Sequence, residues 1–146
     1  VILERAPDEF ASVEMLFSGH GLVRFHQAMT GVAAGSAHGI VTAYLADPDA
    51  PEGRTVREWA NLLGLFTREM SAAYMPKQGL FFAGSVARGV LGTPARAQFL
   101  DSWNAPGGRL SGICAEIPLW LITDDAAGVA GAAQVALVAA RPLETA

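Results

Sequence analysis

The chain has 146 residues, about the size of one domain. Hydrophobic residues make up 51% and charged residues 16%, which excludes an intrinsically disordered segment and a charge-rich coiled coil. Fourteen acidic against ten basic residues leave a net charge of -4, so there is no electrostatic case for nucleic acid or an anionic membrane as partner. The single cysteine, Cys114, has no internal disulfide partner, and cysteine usage of this kind points to a cytoplasmic setting. No window holds 18 uncharged apolar residues, so no membrane span is expected.

In chain order, residues 1–17 have helical character with a break near Pro7. Val1, Ile2 and Leu3 have no capping residue before them, as if a helix were already under way. Ser18-Gly19-His20-Gly21 breaks the pattern, with Ser18 as the candidate cap of the next helix. Leu22, Val23, Phe25 and Met29 then share one helical face. After Gly31 and Gly35, Ile40, Val41, Tyr44 and Leu45 predict a short helix that stops at the Asp47-Pro48-Asp49-Ala50-Pro51 loop. The longest helix should come next, capped by Thr55 with Glu58 three residues on. It carries Val56, Trp59, Leu62, Leu63, Phe66 and Met70 on its apolar stripe to about Tyr74.

Beyond Pro76 the pattern changes. Leu80-Phe81-Phe82-Ala83 has the form of a buried strand that runs through Gly84-Ser85 into a helix from Val86 to Leu91. Pro94 fits the first turn of a helix reaching about Trp103. Residues 104–116 read as loop. Ile117 to Thr123 is a second strand, closed by Asp124-Asp125, and Ala126 to Ala140 a final helix rich in small residues. The sum is an α/β chain of about six helices and two strands, parallel by the logic of their connection. Two strands are too few for a stable α/β sheet, so either the domain is mainly helical with a small sheet or the rest of the sheet lies outside these residues.

No spacing here carries catalysis unaided. There is no phosphate-binding glycine loop of the P-loop or dinucleotide type, no His-Glu-x-x-His and no cysteine pair. His20, His26, His38 and Cys114 lack the spacing of a metal site. Ser18 beside His20 follows a helix, where a nucleophile elbow would follow a strand. Gly84-Ser85 after the first strand would let a ligand approach the backbone at the strand's C-terminal end; an ordinary strand-to-helix turn is the plainer reading. Asp124 and Asp125 could hold a metal or a ribose, and capping of the last helix is the plainer reading. Glu14 has the look of a solvated surface carboxylate, and Trp59, Trp103 and Trp120 of core or rim aromatics.

Several blocks together resemble one family. Glu14 followed by Ser18-Gly19-His20-Gly21-Leu22-Val23 is similar to the Glu...Ser-Gly-Pro-Gly-Leu segment of bacterial glucokinases, members of the sugar kinase and actin-like ATPase superfamily. The run from Gly79 to Val86 resembles their Gly-Val-Tyr-Ile-Ala-Gly-Gly-Ile strand and turn. Ile117 to Ile122, then Gly128-Val129-Ala130-Gly131, resembles their Ile-Pro-Val and Gly-Leu-Leu-Gly ending, and Gly64 falls where the family has a glycine. The blocks keep family order across nearly the whole chain.

The resemblance implies a fold, the C-terminal part of the large domain of an actin-like ATPase (ribonuclease H-like), with residues 1–146 as one portion of it. It implies ATP-dependent phosphorylation of glucose, or a related hexose, at the 6-hydroxyl, with ATP and Mg²⁺ as cofactors. Glu14 matches the glutamate that hydrogen-bonds the sugar near its anomeric hydroxyl. Gly84 and Ser85 match the turn lining the adenosine pocket, and Gly128 belongs with them on the nucleotide side. No catalytic residue and no metal ligand is expected among these residues. The family's Asp-x-Gly-Gly-Thr, Asn-Asp and Gly-Glu-Gly-Gly-His motifs are absent, so the isolated segment should not turn over. Ser85 replaces a glycine, His20 a proline, and the family's Gly and Asn or Asp pattern is missing around Thr67, Arg68 and Glu69. These departures leave a second expectation, a non-catalytic regulatory or binding module that kept the fold. Apolar surface left by an incomplete sheet makes a homodimer the default.

Overall fold

The computed structural model describes residues 10–106, 112, 114 and 116–139. The chain is a helical layer packed on one face of a small parallel sheet. Its elements are α1 (Val13–Leu16), α2 (Gly19–Thr30), α3 (Ala37–Ala46), α4 (Pro51–Tyr74), β1 (Leu80–Phe82), α5 (Ser85–Leu91), α6 (Arg96–Trp103), β2 (Leu119–Leu121) and α7 (Ala127–Ala139). This is the α/β, helix-rich architecture with an incomplete parallel sheet that the sequence predicts.

The long helix α4 is the spine. Its 24 residues give a rod of about 36 Å. It starts at Pro51, four residues before the expected cap, with Pro51 at its first position. Proline fixes the helical φ in advance and lacks the N–H that the first turn would leave unpaired. Thr55 therefore lies inside the helix, and its hydroxyl donates to the Pro51 carbonyl at 3.0 Å. Glu58 makes no capping box; its carboxylate accepts from Asn61. Val56, Trp59, Ala60 and Leu63 form the buried stripe of α4. Against it pack Leu22 and Phe25 of α2, Ile40 and Tyr44 of α3, Val90 and Leu91 of α5, and Phe99 and Trp103 of α6.

Helix α6 crosses α4 at Gly64. A Cβ added there would strike the Phe99 carbonyl and come within 2.9 Å of Ser102 Cβ, so only glycine allows this approach. Asn61 accepts a hydrogen bond from Ser102 beside the crossing. Arg68 extends the seam by donating to the carbonyls of Ser102 and Ala105. The segment where the family's Gly and Asn or Asp pattern is missing is thus occupied by a structural tie. Gly112 and Cys114, read from sequence as loop, are helical, and Cys114 is buried against the Arg68 carbonyl.

Strands β1 and β2 pair in parallel, Leu80 opposite Leu119, Phe81 opposite Trp120 and Phe82 opposite Leu121. Alternation turns Phe82 inward, where it meets Phe99 edge-on at 5.4 Å. Phe81 and Trp120 stack on the outer face and are 62% and 53% exposed. Helix α7 buries none of its residues. Its Val129, Val135, Leu137 and Val138 are all exposed, and a Cβ at Gly128 or Gly131 would meet nothing within 4 Å. No other element packs closely at these glycines among the described residues. The ends of the first and last predicted helices, residues 1–9 and 140, lie outside the described residues, as does the uncapped start at Val1. Among the described residues no helix is long and apolar enough to cross a membrane.

Candidate functional site

The two strands run in the same direction, so their C-terminal ends lie side by side. From β1 the chain continues through Ala83 and Gly84 into α5; from β2 it continues through Asp124 and Asp125 into α7. In open α/β sheets ligands bind outside this end. Gly84 takes φ 97° and ψ 156°, and among the described residues nothing lies within 4 Å of the place where a Cβ would stand. That backbone region is essentially reserved for glycine. The turn is thus bare backbone facing open space, a shape that admits close approach by a ligand. Ser85, the first residue of α5, is exposed beside it.

A cleft of about 110 Å³ opens next to this turn, lined by Ser85, Val86 and Gly89 of α5, Ala37, His38 and Val41 of α3, and Leu22 of α2. It is mostly apolar, with Ser85 and His38 as its polar side chains. A larger hollow of about 330 Å³, lined by Met75, Lys77, Glu116 and Ile117, lies at the opposite, N-terminal end of the strands. We place the candidate site at the smaller cleft because the open turn is there.

Glu14 lies on α1, the short helix just before α2. Ser12 caps the helix, its hydroxyl accepting from the Met15 N–H. The far end is anchored: Trp59 Nε1 donates to the Leu16 carbonyl at 3.0 Å, and Phe17 packs edge-on against Trp59 at 5.3 Å. Ser18 caps α2 as expected, its hydroxyl accepting from the Gly21 N–H at 3.0 Å. The start of α2 abuts α5, since a Cβ at Gly19 would lie 3.5 Å from Val86. The α1–α2 junction and the Gly84 turn are therefore neighbours. Glu14 itself is exposed. His20 is an exposed residue of the first turn of α2.

The other candidates are explained by local structure. Asp124 caps the turn into α7, accepting from the Ala126 N–H at 2.8 Å. Asp125 pairs with Arg88 of α5, which ties the start of α7 to the helix that follows the Gly84 turn. Gly128 lies on exposed α7 and is not packed against that turn. Among the described residues no three of His, Cys, Asp and Glu converge.

Two residues of interest were not singled out by the sequence. His38 lines the cleft, and no periodicity could place it there, because the cleft exists only where three helices meet. His26 is completely buried, its Nδ1 2.8 Å from Thr55 Oγ1 and its Nε2 3.8 Å from a Glu52 carboxylate oxygen. Its place between Phe25 and Met29 in a helical pattern is the one available signal.

Known proteins resemble this chain along its length. A glucokinase from Xylella fastidiosa (strain 9a5c) is 30% identical over 141 residues, covering 92% of this chain and 42% of the relative. One from Xanthomonas euvesicatoria pv. vesicatoria (strain 85-10) is 28% identical over 146 residues, covering 96% and 43%. The crystal structure of a glucokinase from an Antarctic psychrotroph superposes with a TM-score of 0.75 at 23% identity, over 92% of this chain and 44% of that one. The chain thus spans less than half the length of the relatives it matches. The family model described as Glucokinase matches residues 2–139. With that match spanning nearly all of the chain, and with the shared fold, the protein belongs to the glucokinase family of the sugar kinase and actin-like ATPase superfamily.

Proposed function

We propose that this chain is part of the large domain of an ATP-dependent kinase that phosphorylates glucose at its 6-hydroxyl. The observation that carries the proposal is the family match over residues 2–139. The open Gly84 turn at the C-terminal end of two parallel strands supports it. On this reading Glu14 binds the sugar, because a carboxylate accepts hydrogen bonds from two hydroxyls at once. Gly84 and Ser85 line the adenosine, with Gly128 on the same nucleotide side once α7 is covered. Residues 1–146 are then the C-terminal portion of that domain, and the base that takes the 6-hydroxyl proton lies elsewhere. Mg²⁺ comes bound to the ATP phosphates, as is usual for this ion, and supplies charge neutralisation on the transferring group. The exposed side chains of α7 and the Phe81–Trp120 stack are the surface on which the rest of the kinase packs, and a homodimer is the expected assembly.

A coupled assay for glucose 6-phosphate on the gene product carrying these residues tests the reading. ATP-dependent turnover is expected there and none from the 146-residue chain alone. Turnover by the isolated chain would overturn the division of labour. Absence of both glucose and ATP binding to the gene product would favour a non-catalytic module that kept the fold, a reading supported by Ser85 and His20 at positions where the family has Gly and Pro.

A further inference from the structure

The cleft beside the Gly84 turn has a second polar wall. Ser85 stands on α5; across from it α3 contributes His38, with Leu22, Ala37, Val41 and Val86 making the apolar remainder. At about 110 Å³ the cleft is well below the roughly 300 Å³ at which pockets for drug-sized molecules begin. It accommodates a flat ring, not a whole nucleotide. Apolar walls with a few polar groups at the rim are the composition by which such sites hold and orient a ring.

We infer that His38 reads the base of the nucleotide and sets the preference for adenine over guanine. The inference rests on the proposal that adenosine lodges at Gly84 and Ser85. A neutral imidazole has one N–H donor and one acceptor nitrogen. Adenine presents an amino donor at N6 beside the N7 acceptor, whereas guanine presents two acceptors, O6 and N7. An acceptor nitrogen of His38 facing N6 gains a hydrogen bond from adenine and meets a lone pair on guanine. Ser85 discriminates less, because its hydroxyl rotates freely to donate or accept, whereas the imidazole must flip or change tautomer to do so. His38 is exposed in the first turn of α3, so its replacement leaves the core untouched.

The test is equilibrium titration of ATP and of GTP into the gene product carrying this chain, as wild type, His38→Ala and His38→Gln. His38→Ala should weaken ATP binding about five- to tenfold, the loss of one hydrogen bond, and GTP binding far less. His38→Gln, which keeps one donor and one acceptor, should restore most of the ATP affinity. Unchanged ATP affinity, or an equal loss for ATP and GTP that leaves their ratio unchanged, in a folded His38→Ala protein would overturn the role of His38 and leave the adenosine site standing. A wild type that binds glucose but no purine nucleotide would overturn the adenosine site and the role of His38 with it.

Discussion

His26 Nδ1 lies 2.8 Å from Thr55 Oγ1, a fully buried contact that joins α2 to α4. The Thr55 hydroxyl already donates to the Pro51 carbonyl, so it accepts from the imidazole, and Nδ1 carries the proton. Nε2 has no hydrogen-bond partner among the described residues. The pair holds the first turn of α4 against the helix that follows Glu14. Thr55→Val should leave the Nδ1–H unpaired and lower stability by about 1–3 kcal/mol. Urea unfolding of Thr55→Val, His26→Ala and the double variant measures it. The two losses should be clearly non-additive, as for residues in contact; additive losses would mean that the contact contributes nothing.

Gly64 sets the spacing of α4 and α6. In an open helix, alanine in its place would stabilise by about 1 kcal/mol. Here the added methyl would meet the Phe99 carbonyl and Ser102, and overpacking costs about 1–3 kcal/mol. Gly64→Ala should therefore lower the melting temperature. A rise would show that the helices separate freely at this crossing.

Gly84→Ala isolates backbone strain from steric contact, because its methyl would stand in open space. At φ 97° and ψ 156° the cost should be about 1–3 kcal/mol. Gly84→Asn should fare no better, since asparagine tolerates the left-handed helical region and not this one. Chemical denaturation of both variants is the check, and equal stability of wild type and Gly84→Ala would contradict the turn geometry.

Glu14→Gln tests the sugar site. The side chain is exposed, so stability should stay within about 0.5 kcal/mol of wild type. Glucose affinity of the gene product should fall by roughly 10- to 100-fold, the worth of hydrogen bonds to a charged group. Calorimetric titration with glucose reads the effect. Unchanged affinity would remove Glu14 from the sugar site.

Most elements were legible because their signals are local. Ser18 caps α2 through its own side chain, and the stripe from Val56 to Leu63 follows helical period whatever lies against it. The start of α4 was misplaced because a Thr-x-x-Glu pattern outweighed Pro51-Glu52, which has proline's preset φ and an acidic first turn. Strand length was overestimated at Ile117–Thr123, since apolar runs extend past the residues that find a pairing partner.

The sequence by itself determined the family, the parallel pairing implied by strand–helix–strand order, and the residue types at the proposed sugar and nucleotide positions. Tertiary structure alone decided which of those residues stand near one another. Trp59 bonds the Leu16 carbonyl from 43 residues along the chain and so fixes the end of α1, the helix that carries Glu14. His38 borders the cleft because α2, α3 and α5 meet there. Periodicity fixes which face of a helix is buried; it carries no information about which other helix that face will meet.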